Sequence, residues 1–200
     1  EPVLQGTPEI VRRCYDYLLY LDSLVLRKAL NDYSRALSPA LTVIMRMRLD
    51  SAGYDIMQFC ERDRNGVIQL KNTLICQNDP QFMDHLNRQY DGHFKDGPLS
   101  AVQMLHYMKY LNEQKDVDLD VDVFDGLRTA ERTIRNLASH EMQGITADDI
   151  NRATQSSAKN ILETLKQQYE KANGFSAPLQ WDSLRKLKEQ IKAELDVLPE

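Results

Sequence analysis

Arg135, Asn136 and His140 are the residues of this chain whose types and spacing could do chemistry together. They stand in the run Arg135-Asn136-Leu137-Ala138-Ser139-His140. A histidine titrates near neutral pH and can move a proton. A guanidinium stays charged and offers a planar fork of donors to phosphate oxygens. The pair suits metal-free cleavage of a phosphodiester, above all in RNA, which supplies its own nucleophile, the 2′-hydroxyl. Such a catalyst has to help remove that proton, stabilise the charge gathering on phosphorus and protonate the leaving 5′-oxygen. Asn136 could orient a neighbour or the ribose. Arg132, one turn earlier, could reach a substrate phosphate or pair with an acid. Ser139, small and polar beside the histidine, could support the site or only make a tight helix contact.

Spacing alone does not carry this reading. The chain holds 14 Arg and 4 His among 200 residues. Allowing four to six residues between them, about 0.8 such pairs arise by chance. A second pair, Arg88 and His93, runs into the turn Asp91-Gly92 and the polar stretch to Pro98, and reads as accidental. His85 and His106 have no helical partner spacing that suggests a site, and His106 beside Tyr107 reads as packing. Context has to decide for Arg135 and His140.

The surrounding elements read as helices. From about Val121, residues Phe124, Leu127, Ala130, Ile134 and Ala138 recur at helical spacing and face a core. Arg128, Arg132, Arg135 and Ser139 line another side, with Glu131 expected to be exposed. In a straight helix, five residues turn the chain by about 500°, which sets His140 about 140° from Arg135. Either the helix ends before His140 or a second copy of the chain completes the site. Gly144 is the expected helix stop, and Thr146 to Asp149 resembles a capping box.

Upstream, Thr7-Pro8-Glu9 and Ser38-Pro39 read as helix starts, and Arg64-Asn65-Gly66 as a turn. Residues 67–76 are open to a short helix or an irregular or β element. Asp79-Pro80 opens a helix to about Tyr90, and Ala101 to Leu111 carries another. Downstream, one helix is expected from the capping box to Gly174, with Ala153 inward, and a last one around Trp181, Leu184, Leu187, Ile191 and Leu195. The fold class expected is all-α, a helical bundle. It reads as a single domain over 1–200, with a core mainly from 80 to 200 and the helices of 8–62 packed on it.

Composition narrows the function classes. A net charge of −5 argues against a protein that coats nucleic acid, while leaving room for a local basic cleft. No apolar run is long enough for a bilayer, so no membrane partner is expected. Cys14, Cys60 and Cys76 lack metal-site spacing and read as buried free thiols in a reducing cytoplasm. The run Asp116 to Asp122 fails as a calcium loop: counted from Asp116, Val121 and Leu127 stand where Gly and Glu are needed. It reads instead as an acidic lead-in to a helix N-terminus. The start at Glu1 leads us to expect a piece of a longer protein.

The Arg135-Asn136-x-x-x-His140 run at the end of a helix, in an all-helical background, resembles the HEPN ribonuclease superfamily. Within it the chain looks most like the C-terminal HEPN domain of the CRISPR-associated type III ancillary ribonucleases. The resemblance implies a bundle that forms homodimers, with the motifs of two chains making one cleft for single-stranded RNA. It implies metal-independent cutting that leaves a 2′,3′-cyclic phosphate, with Arg135 and His140 catalytic, no metal, no cofactor in this segment and no DNA substrate. It also implies activation by cyclic oligoadenylate through an N-terminal CARF sensor domain that this sequence lacks. Two other readings stay open: a HEPN toxin ribonuclease paired with an antitoxin, and a helical adaptor without catalysis.

Overall fold

The computed structural model describes residues 4–140, 144–175, 179–182, 186 and 189. Eight helices and a small sheet account for these residues: α1 (Glu9–Leu26), α2 (Leu30–Ser51), β1 (Cys60–Arg62), β2 (Ile68–Leu70), α3 (Asn72–Asn78), α4 (Pro80–Gln89), β3 (Gly97–Pro98), α5 (Ala101–Lys115), α6 (Val121–His140), α7 (Ala147–Thr154) and α8 (Ala158–Asn173). The all-α expectation holds. The helix expected around Leu184 to Leu195 lies outside the described residues.

Helix α2 is the axis of the bundle and packs on α1, α5, α6 and α8. Its stripe Leu30, Tyr33, Leu37, Leu41 and Ile44 is buried and keeps a spacing of three and four. The Ser38-Pro39 start is therefore corrected: Pro39 lies inside α2, and the helix begins nine residues earlier at Leu30. Pro39 is on the exposed side. The carbonyl it leaves without a helical donor is that of exposed Arg35, which water can satisfy. Burial of the continuous stripe outweighs that local cost.

The segment 67–76 resolves into both alternatives in turn, strand β2 and then helix α3. β2 pairs antiparallel with β1 (Cys60 opposite Leu70) and with β3 (Leu70 opposite Gly97). Asp63 closes the β1–β2 turn, its carboxylate accepting from the amides of Asn65 at 2.8 Å and Val67 at 2.9 Å. The helix expected from the capping box to Gly174 is split by Gln155, which takes a left-handed φ of 54°. Ser157 then caps α8, its hydroxyl accepting from the Asn160 amide at 3.0 Å. Ala153 is exposed, near the end of the short α7. The cysteines differ as well: only Cys14 is buried, where burial pushes its thiol up to about 12, while Cys60 is half-buried and Cys76 exposed.

Two histidines sit under α4 and α5. His85 is 2 % exposed, and its ring lies 6.3 Å from that of His106 and 5.8 Å from that of Tyr110. Among the described residues, neither His85 Nε2 nor His106 Nδ1 has a hydrogen-bond partner. Burial holds both below the ordinary histidine value; for His85 the nearby Glu113 works against the shift, and Arg88 and Lys109 add to it. A lowered folded-state pKa means that the unfolded chain takes up the protons first. Stability from these groups is thus fully present above about pH 6.5 and is lost as pH falls below it through the lowered folded-state values. Melting temperature should drop between pH 7.5 and 5.5, and the drop should be shallower in His85→Gln/His106→Gln. An unchanged slope in that variant would remove the histidines as the cause.

Candidate functional site

Helix α6 carries the motif, and three features fix it. At its start, Asp120 takes Arg48 of α2 at 3.2 Å and Lys171 of α8 at 2.6 Å, while Arg48 also donates to the Asp118 carbonyl at 2.8 Å. The acidic lead-in is thus clamped by cations from two neighbouring helices. Along its length, Phe124, Leu127 and Ile134 are buried against the bundle. Beyond its end, the side chain of Asn31 accepts from the Ile145 amide at 3.0 Å. The capping box that follows is present, with the Thr146 amide donating to Asp149 at 3.0 Å and the Asp149 amide donating to Thr146 Oγ1 at 3.2 Å.

The helix runs through His140. The first way of satisfying the geometry, a helix that stops before His140, is therefore not what the backbone adopts. The side chain of His140 lies outside the described residues. Arg135 is 49 % exposed and Asn136 is exposed. Ser139 is exposed, and its hydroxyl donates to the Arg135 carbonyl at 2.8 Å, a local bond within the helix. Arg132 is exposed on the preceding turn and makes no ion pair among the described residues. It edges an open concavity of about 240 Å³ between α5 and α6, which His106, Lys109, Asp125, Arg128 and Thr129 also line. Lys109 and Asp125 face each other there at 3.4 Å.

Glu131 overturns its expected exposure. Its side chain is only 3 % exposed, and it bonds Arg128 while its other oxygen stands 3.4 Å from Arg135 Nη1. The signal for this was present in the spacing. Leu127, Glu131, Ile134 and Ala138 step by four, three and four, so Glu131 falls on the core stripe. A carboxylate there has to be paired, because an unpaired buried charge is costly.

Arg132 at the edge of the α5–α6 concavity and half-exposed Arg135 on the next turn present positive charge to solvent, as contact with an anionic polymer requires. The family model described as the Cas_Csm6 HEPN domain matches residues 5–192. The chain belongs to this HEPN family. The match covers the bundle from α1 to beyond α8, so the motif helix is an internal part of the HEPN domain rather than an appendage. It favours the CRISPR-associated reading over the toxin reading, and it makes this HEPN domain one of a ribonuclease family with RNA as its substrate class. No curated protein matched the chain. Among the described residues, no helix is long and apolar enough to cross a membrane.

Proposed function

We propose that the domain is a metal-independent endoribonuclease that cuts single-stranded RNA in CRISPR type III antiviral defence, with an active site shared by two copies. His140 moves the proton, Arg135 stabilises the charge on the phosphate, and Asn136 orients the ribose or a neighbour. Arg132 holds an adjacent phosphate, with Ser139 buttressing the last turn of the helix. The observation that carries this is the placement of Arg135 and Asn136, exposed on the final turns of a helix that continues through His140. On such a helix the two catalytic positions diverge by about 140°, so a single copy is poorly arranged to close on one phosphate. A two-fold pair of α6 ends would supply two arginines and two histidines to one cleft. Control by cyclic oligoadenylate, acting through a sensor domain elsewhere in a longer protein, belongs to the same reading.

The test is cleavage of a labelled single-stranded RNA in excess EDTA, with His140→Ala beside the parent and sedimentation to give the oligomeric state. The expected result is cutting by the parent dimer with a 2′,3′-cyclic phosphate end, and no cutting by the folded variant. Cleavage by His140→Ala at the parent rate would overturn the assignment of His140. Cleavage that stops in EDTA and returns with a divalent ion would overturn the metal-free chemistry.

A further inference from the structure

Glu131 is a charge in a place where the fold needs only a hydrocarbon. It lies on the stripe between Leu127 and Ile134, both buried. An apolar residue there would pack without cost, whereas a buried carboxylate has to offset several kcal/mol of desolvation through its partners. Its partners are Arg128, three residues before, and Arg135, four residues after. One carboxylate between two guanidiniums leaves the triad with a net charge of +1. A one-to-one pair would instead have neutralised Arg135.

The two contacts are not equivalent. Arg128, 17 % exposed, is hydrogen-bonded to Oε2 of Glu131. Arg135, 49 % exposed, stands 3.4 Å from Oε1, which forms no hydrogen bond among the described residues. Arg135 is thus held by charge while its guanidinium donors stay uncommitted. A long side chain on an exposed helix face otherwise samples many rotamers, and ordering it costs conformational entropy at the moment of binding.

Resting on the reading that Arg135 stabilises the substrate phosphate, we infer that Glu131 is a positioning residue that pre-orients Arg135. Arg128 is the counter-charge that locks Glu131 and keeps the site cationic. Neither residue touches substrate in this role. Both act through Arg135.

A double-mutant cycle on single-turnover cleavage tests this. Glu131→Gln keeps the shape and removes the charge, and is expected to lower the rate at saturating RNA by about tenfold, with little change in KM. In an Arg135→Ala background it should cause no further loss. Equal losses in both backgrounds would show that Glu131 serves only the fold, and would overturn the inference. Should Glu131→Gln fold poorly, Arg128→Met/Glu131→Leu replaces the whole buried pair with apolar volume, an exchange that is often neutral or stabilising. That variant is expected to be folded and slow, and parent-rate cleavage by it would overturn the inference. The proposed function fails separately: if Arg135→Ala alone cleaves at the parent rate, Arg135 is not catalytic and nothing remains for Glu131 to position.

Discussion

Arg135→Ala is expected to slow RNA cleavage by about a hundred- to a thousandfold, the usual cost of deleting one preorganised donor to a developing anion. The effect should fall on the rate at saturating RNA, because the charge that Arg135 meets is greatest in the transition state. Stability should change far less. Arg135 is half exposed, and the buried Glu131 keeps its bond to Arg128 when Arg135 is gone. The contact lies at the surface on the Arg135 side, makes no hydrogen bond among the described residues and leaves Glu131 still paired, so its loss should cost far less than breaking a buried pair outright. Arg135→Lys should recover only part of the rate, since an ammonium keeps the charge and loses the fork. Single-turnover rates beside a thermal melt check all three statements. A parent-like rate for the folded Ala variant would remove Arg135 from the chemistry.

Phe82→Ala is expected to cost about 3–5 kcal/mol of folding stability. Phe82 is fully buried where α4 meets α5, and its ring lies 4.7 Å from Tyr107, 5.3 Å from Tyr110 and 5.5 Å from Phe59. The same residue ties into the cap of α4. Its amide donates to the Asp79 carboxylate at 3.1 Å, and the Tyr110 hydroxyl donates to the same oxygen at 2.7 Å. Truncation therefore opens a cavity at the centre of an aromatic cluster whose polar edge is fixed and cannot collapse into the gap. With a domain stability of about 5–15 kcal/mol, the loss is a large share of the total. Urea unfolding measures it; a change under about 1 kcal/mol would show that the cluster repacks.

How far the sequence disclosed the site can be read on α6. Its length and inward face followed from the spacing of Phe124, Leu127 and Ile134, because burial on one side of a helix writes a period of 3.6 into the chain. The burial of Glu131 is less legible, because its residue type points to solvent while its position points to the core. The α2 start differs for the mirror-image reason: a longer apolar stripe overrides the local signal of Ser38-Pro39. The break at Gln155 is hidden, since no glycine or proline marks the exposed left-handed residue between the two helices. Strands of two or three residues are too short to show alternation, so the sheet could not be read. The divergence of Arg135 and His140 came from helical geometry alone.

The bond from Ile145 to Asn31 has one more consequence. Gly144 adopts φ +85°, and a Cβ there would come within 2.8 Å of the Asn31 amide nitrogen. Only glycine passes that point, so the chain is pinned to the first turn of α2 immediately after the motif. Four peptide steps join His140 to Gly144, and they reach at most about 14 Å. His140 is therefore on a short leash, anchored behind by a helix sewn into the core and ahead by a knot on a different helix. The number of residues alone thus keeps the His140 backbone within that distance of the α2 contact. Under the function we propose, the RNA strand and the second copy would have to come to the histidine.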